Sequence, residues 1–155
     1  MDFRIQALPL ADFAPLFGLA DDELAARGVV RRIADRRPGF PCRVSLRDAV
    51  PGEAVLLLNY QHLPAPGPYE SRHAIYVREA ARDCTPDINE IPEMLASRLL
   101  SVRAFDGAQM LLDSEVIEGA VAAPLFRRFL ANPAVECLHL HSARPGCYEA
   151  RVVRA

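Results

Sequence analysis

The chain has 155 residues, a formal net charge of -2, and a composition that is 51% hydrophobic and 25% charged, as is ordinary for a globular protein. All eighteen positive charges are arginines, and they are dispersed along the chain. This pattern argues against a nucleic-acid surface, which needs a basic stripe, and against attraction to an anionic membrane. We therefore expect neither nucleic acid nor membrane as a partner, and one globular domain over residues 1–155.

The first half of the chain divides into short elements. Alternation at Phe3 and Ile5 predicts a first strand, helical turns are expected at residues 12–17, and a short helix fits between Asp21 and Gly28. Prolines make residues 63–71 a loop, because proline cannot serve a strand ladder. Further strands are predicted at residues 29–34, 42–47, 53–61 and 73–79.

The second half predicts two helices and two strand pairs. A short helix starts at Pro92, and an apolar stripe at helical spacing predicts another over residues 124–131. Strands are predicted at residues 100–105, 109–117, 135–141 and 147–153. The sequence thus predicts an α+β fold, with a mostly antiparallel sheet of several short strands and a few short helices packed as a single layer on one face.

The cysteines and the N-terminus bear on cellular location. Cys42, Cys84, Cys137 and Cys147 show no Cys-x-x-Cys spacing, which predicts free thiols in a reducing compartment. The first residues do not resemble a signal peptide, and the longest strongly apolar run, residues 54–58, is too short to span a bilayer. We expect a cytoplasmic protein, with the oligomeric state left open.

The final hairpin carries the densest set of chemically active side chains. Residues two apart on a strand share a face, so Cys137, His139 and His141 point the same way. With a loop at residues 142–146, the expected cross-strand pairs are His141 with Cys147, His139 with Glu149, and Cys137 with Arg151. The other face is apolar and suits the core: Leu138, Leu140, Ala150 and Val152.

These pairs suggest a thiol nucleophile. An adjacent imidazole lowers the pKa of a thiol and stabilises the thiolate, and a carboxylate can orient the imidazole. The candidate catalytic residues are Cys147, His141, His139 and Glu149. The alternative is a solvated sheet face with an ordinary ion pair between His139 and Glu149.

A metal site is a second chemical interpretation. The His-x-His pair at His139 and His141 can chelate one ion, with Cys147, Glu149, His62 or His73 completing the set. His62 ends one predicted strand and His73 begins the next, so both flank a loop at one end of a sheet. Whether that end meets the hairpin is left open, and no metal ligand is assigned from this weak signal.

Arginines on two predicted strands suggest an anionic ligand. Arg43 and Ser45 would share a face of strand 42–47 with Arg47, and such a face suits a carboxylate or phosphate, although Asp48 is near enough for a plain ion pair. Arg103 lies in an apolar strand, and a partly buried arginine needs an anionic partner. The candidate ligand-binding residues are Arg43, Arg103, Ser45, His62 and His73.

Several motifs are absent. No Gly-x-Gly-x-x-Gly, Walker-type Gly-Lys-Ser/Thr or Gly-x-Ser-x-Gly pattern occurs, and the lack of lysine excludes a lysine Schiff base. Whether the protein uses a cofactor is left open.

Three stretches carry a family resemblance: PGFPCRVSLRDAVPGE (38–53) with the LLLNYQH that follows shortly after it, RLLSVRAFD (98–106), and HLHSARPGCYEARVVRA (139–155). They resemble a small bacterial family known as domain of unknown function number twelve hundred and three, over nearly the whole chain. The resemblance implies a compact, single-domain bacterial protein, and it brings no activity, cofactor or catalytic residue with it.

Function therefore has three open interpretations, and whether the protein is an enzyme is left undecided. The first is a small-molecule site for an anionic ligand on the polar sheet face, with thiol-based group transfer by the Cys/His pair. The second is a non-catalytic module that binds a ligand or another protein. The third is a metal-dependent enzyme that uses the His-x-His pair.

Overall fold

A computed structural model describes residues 1–155. The strands are β1 (Phe3–Gln6), β2 (Val30–Ile33), β3 (Pro41–Cys42), β4 (Arg47–Asp48), β5 (Ala54–Leu63), β6 (Ser71–Arg78), β7 (Leu99–Phe105), β8 (Leu111–Glu118), β9 (Cys137–Ser142) and β10 (Tyr148–Arg154). The α-helices are α1 (Asp21–Ala25), α2 (Glu93–Ala96) and α3 (Ala123–Leu130), and 3₁₀ turns lie at Leu10–Asp12, Ala14–Leu16 and Gly119–Val121. The predicted α+β class is confirmed. No helix has both the length and the apolar character needed to cross a bilayer.

The strands form two sheets where the sequence analysis described one. The first sheet has the order β1-β10-β9-β7-β8, and the second has the order β2-β5-β6-β3-β4. All neighbours are antiparallel except β3 and β6. The inner strands β9 and β5 each have partners on both sides, which places them where two sheets can bury side chains between them.

Helix α3 covers one face of the first sheet. Its predicted apolar stripe packs into the main core, and the ring of Phe126 meets that of Phe3 edge-on at 5.3 Å. The hairpin residues that were predicted to face the core belong to the same cluster: Leu138, Leu140, Ala150 and Val152. The opposite face of this sheet therefore turns toward the second sheet, where Tyr148 joins a core that contains Leu56 and Ile75.

The predicted strand at residues 42–47 is wrong. Residues 43–46 form a tight turn between the two-residue strands β3 and β4, closed by the Leu46 N–H donating to the Cys42 carbonyl at 3.0 Å. Leu46 adopts a positive φ of 48° in this turn. Arg43, Ser45 and Arg47 therefore do not share a face, since Arg43 is buried and Arg47 is exposed. The prediction failed because polar and apolar residues alternate in this turn as they do in a strand.

Gly119 marks a close approach between the end of β8 and α2. A Cβ at this position would lie 1.9 Å from the main-chain oxygen of Leu95, so a side chain requires the backbone to move. We expect Gly119→Ala to lower the free energy of unfolding by about 3 kcal/mol, measured by urea denaturation. Gly67→Ala, which meets no atom within 4 Å, is the control and should change it by less than about 0.5 kcal/mol. Equal stability of the two variants would contradict the packing described here.

Candidate metal centre

All four histidines of the chain converge between the two sheets. His62 on β5 and His73 on β6 come from the second sheet, and His139 and His141 on β9 come from the first. The centroid of the His62 ring is 4.7 Å from that of His73, 5.3 Å from that of His139 and 5.0 Å from that of His141. His62 and His73, which the sequence placed at the two sides of one loop, therefore do lie next to His139 and His141 of the final hairpin.

A β-bulge aims His62 into this cluster. The register of β5 against β6 shifts between Gln61 and Leu63, so His62 is the extra residue. A bulge bends the strand and can redirect a side chain, and here His62 is buried although it lies near the end of β5.

The tautomer of His141 follows from its one hydrogen bond. Its Nδ1 lies 3.0 Å from the carbonyl oxygen of Gly146, which can only accept, so Nδ1 carries the proton. Its Nε2 then holds a bare lone pair, and this atom is buried without a hydrogen-bond partner. A fully buried acceptor with no donor costs free energy, so this atom is expected to have a partner such as an ordered water or an ion.

The other three imidazoles form a chain of contacts through His62. Its Nδ1 lies 3.1 Å from Nδ1 of His139, and its Nε2 lies 2.7 Å from Nδ1 of His73. Neutral rings satisfy both contacts when each ring donates from one nitrogen and accepts at the other. Ring nitrogens of His62, His73 and His141 all lie within 4.8 Å of one another, a spacing at which one ion can collect three ligands.

Burial keeps these histidines neutral. It lowers the pKa of His62 to about 3, that of His139 to about 4 and that of His141 to about 2, and the positive charge of Arg103 acts in the same direction on each. The pKa of the half-buried His73 is lowered by the same two causes, burial first. At neutral pH the cluster therefore presents unprotonated imidazoles, the form that binds metals.

Two arginines flank His139 on its own sheet. Arg103 is its partner on β7 and Arg151 its partner on β10, so both share its face. Arg103 Nε contacts Ser101 Oγ at 3.3 Å, and Arg151 reaches only Gln6 Oε1, at 3.5 Å. Neither guanidinium forms an ion pair with a carboxylate.

Two tyrosines, which the sequence analysis missed, form an aromatic wall beside the cluster. The ring of Tyr148 stacks on that of His62, with centroids 5.0 Å apart and planes 15° apart, and Tyr60 lies 6.1 Å from Tyr148. Next to this wall, His62, His139, Phe105 and both tyrosines line a cavity of about 640 Å³. Tyr148 could have been assigned to the site only with the correct hairpin register, in which it lies opposite His141.

The predicted pairing of the final hairpin is wrong. The expected pairs were His141 with Cys147, His139 with Glu149, and Cys137 with Arg151. In the structure His141 lies opposite Tyr148, and His139 lies opposite Arg151.

A shorter loop and a bulge cause this difference. The Ser142 N–H donates to the Cys147 carbonyl at 3.0 Å, so Cys147 lies opposite Ser142 and not opposite His141. The register then shifts between Tyr148 and Ala150, which leaves Glu149 as the extra residue. Cys147 and Tyr148 point to opposite sides of the strand, so Cys147 is turned away from the histidines.

The remaining candidate residues lie in other places. Glu149 is buried, its Oε1 accepts a hydrogen bond from the Ser142 hydroxyl, and its Oε2 lies 3.3 Å from Arg43 Nε. Arg43 also donates to the carbonyl oxygens of Tyr148 and Pro41, at 2.8 and 2.6 Å. Cys147 lines a separate cleft of about 690 Å³ with Arg43 and Glu149.

Ser45 and Arg103 complete the placement of the candidates. Ser45 Oγ accepts a hydrogen bond from Arg78 Nη1 at 3.2 Å, outside both the cluster and the cleft. Of the predicted ligand-binding residues, the structure brings together His62, His73 and Arg103. A catalytic role for Cys147 or Glu149 stays a prediction.

Comparison with known proteins adds the family. The sequence model of the family described as Protein of unknown function (DUF1203) matches residues 39–154, a range that contains all four histidines. No curated protein and no solved structure matches the chain. On this match, which agrees with the resemblance of the three sequence stretches, the chain belongs to the family of proteins of unknown function DUF1203.

Proposed function

We propose that the histidine cluster binds one divalent transition-metal ion, best fitted by zinc, and uses it in chemistry on a small anionic molecule. The observation that carries the proposal is the buried, unpartnered Nε2 of His141, gathered with ring nitrogens of His62 and His73 within 4.8 Å. Imidazole suits zinc, copper, iron and nickel, and three histidine ligands with a fourth position open are typical of catalytic zinc.

The hydrogen bonds around the cluster match those around known metal ligands. A metal-bound histidine usually donates its second ring N–H to a carbonyl, carboxylate or water, which fixes the tautomer. The bond from His141 Nδ1 to the Gly146 carbonyl has this form. In the same way, His139 can accept the Nδ1 proton of His62, which would leave Nε2 of His62 for the ion. His139 is thus a positioning residue in this proposal.

The ion would replace a hydrogen bond within the cluster. Nε2 of His62 and Nδ1 of His73 are 2.7 Å apart. Two nitrogens bound to the same tetrahedral zinc at about 2.0–2.1 Å are roughly 3.4 Å from each other. Binding therefore requires these two nitrogens to separate by about 0.7 Å and ring nitrogens as far as 4.8 Å apart to approach one another, movements in which the half-buried His73 can take part.

Zinc stoichiometry and affinity test the proposal. We expect protein stripped with EDTA to take up one zinc per chain in equilibrium dialysis. His73→Ala, which removes a ligand at the exposed side, should raise the Kd for zinc more than about 100-fold, and His139→Ala, which removes a supporting contact, about 10–100-fold.

Cys147→Ser is the matched control, because Cys147 precedes β10 and lines the separate cleft, outside the histidine cluster. Its zinc affinity should equal that of the wild type. Wild-type protein that holds no zinc, or a Cys147→Ser variant as defective as His73→Ala, would refute the three-histidine centre.

Thiol-based group transfer, the first interpretation from the sequence, has less support. It needs an imidazole beside Cys147, whereas the only polar contact of its Sγ is the Pro145 carbonyl oxygen at 4.0 Å. A purely ligand-binding role uses the same residues as the metal centre and differs only in the absence of turnover.

A further inference from the structure

We infer that the anionic molecule is a small carboxylate, whose oxygens pair with the guanidinium of Arg103 and reach the open position of the metal. The metal half of this statement rests on the proposed function, whereas the Arg103 half stands on its own contacts.

The charge around the cluster is positive and uncompensated. Besides the histidines themselves, the groups whose charge acts on these four rings are Arg103, Arg43 and Arg151. Arg43 already has Glu149 as a partner, but the other two have no carboxylate. A half-buried positive charge without a partner is costly, and a divalent ion would add two further charges. A bound anion lowers both costs.

Arg103 offers the geometry that a carboxylate requires. Its single hydrogen bond uses Nε, which leaves both terminal nitrogens of the guanidinium free. Arg103 pairs with His139 across the strands, and Ser101, two residues away on the same face, pairs with His141. The planar fork is therefore held on the histidine face, where it can bind two carboxylate oxygens side by side.

The surroundings favour a carboxylate over a phosphate. Phosphate sites in proteins commonly use free backbone N–H groups, at helix N-termini or in glycine-rich turns. Here Arg103 and His139 come from inner strands and are paired with a neighbour on both sides, so their backbone groups are committed to the ladders. A single planar guanidinium fork, flanked by backbone groups already in ladders, matches the planar shape of a carboxylate.

Acetate binding to cobalt-loaded and metal-free protein tests the inference. Cobalt(II) takes the place of zinc and reports anions at the metal through its visible spectrum, and line broadening of ¹³C-acetate in NMR reports binding without metal. We expect acetate to perturb the cobalt spectrum at lower concentration than phosphate. Arg103→Gln should weaken acetate binding about 10–100-fold in both forms, with cobalt stoichiometry unchanged.

Arg32→Gln is the matched control, because Arg32 is an exposed arginine on β2 that also lacks an ion pair. Its acetate affinity should equal that of the wild type. Arg103→Gln protein that binds acetate as tightly as wild type, acetate binding in neither form, or tighter binding of phosphate than of acetate overturns the inference. If the metal site does not exist, the protein takes up no cobalt. The acetate titration of the metal-free protein then still tests whether Arg103 binds a carboxylate.

Discussion

Removal of residues 148–155 is expected to abolish folding. This deletion takes away all of β10, which lies between β1 and β9 and is the only strand that pairs with β1. Val152 and Ala150 belong to the main core, and Tyr148 belongs to the core that includes the second sheet. Loss of a whole inner strand costs more than the 5–15 kcal/mol that holds a typical domain together.

Far-UV circular dichroism and urea denaturation measure the effect. The truncated chain should show no cooperative transition, whereas deletion of Ala155 alone, an exposed residue beyond the end of β10, should leave the midpoint nearly unchanged. A truncated protein that unfolds cooperatively would mean that β10 is not an integral part of the first sheet.

Local patterns in the sequence predicted the parts of the fold that depend on local geometry. The stripe on α3 and the apolar face of the final hairpin both emerged from periodicity, because a helix repeats every 3.6 residues and a strand every two. Both features lie in one continuous core on one side of the first sheet.

The register of the hairpin could not be predicted in the same way. The bulge at Glu149 inserts a residue that no periodic pattern reveals, and it moves the carboxylate from the histidine face toward Arg43. The predicted catalytic set of Cys147, His141, His139 and Glu149 depended on an unbroken ladder. A second bulge, at His62, explains why this side chain points into the cluster. Alternation along the strand could not predict that direction.

The meeting of all four histidines depends on contacts distant in the sequence. His62 and His139 are 77 residues apart in the chain and belong to different sheets, so only the packing of one sheet on the other brings them together. The sequence identified each of these histidines as a candidate and correctly placed His62 and His73 at the two sides of one loop. It could not divide the strands into two sheets, which is the step that creates the site.

Zinc is expected to stabilise the folded protein strongly, because its proposed ligands come from both sheets. His62 and His73 lie on the second sheet and His141 on the first, so the ion would link them and bind the unfolded chain only weakly. With free zinc at about 1,000 times its Kd, the free energy of unfolding should rise by about 4 kcal/mol. Urea denaturation with zinc and with EDTA measures this difference.

The same comparison separates the metal from the fold itself. His141→Ala removes a fully buried side chain, so it lowers stability even in EDTA, but the additional gain from zinc should vanish. Cys147→Ser should keep the full gain, because its thiol lies outside the ligand set. If zinc stabilises the His141→Ala variant as much as the wild type, the ion binds elsewhere, and the unpartnered Nε2 of His141 is not its ligand.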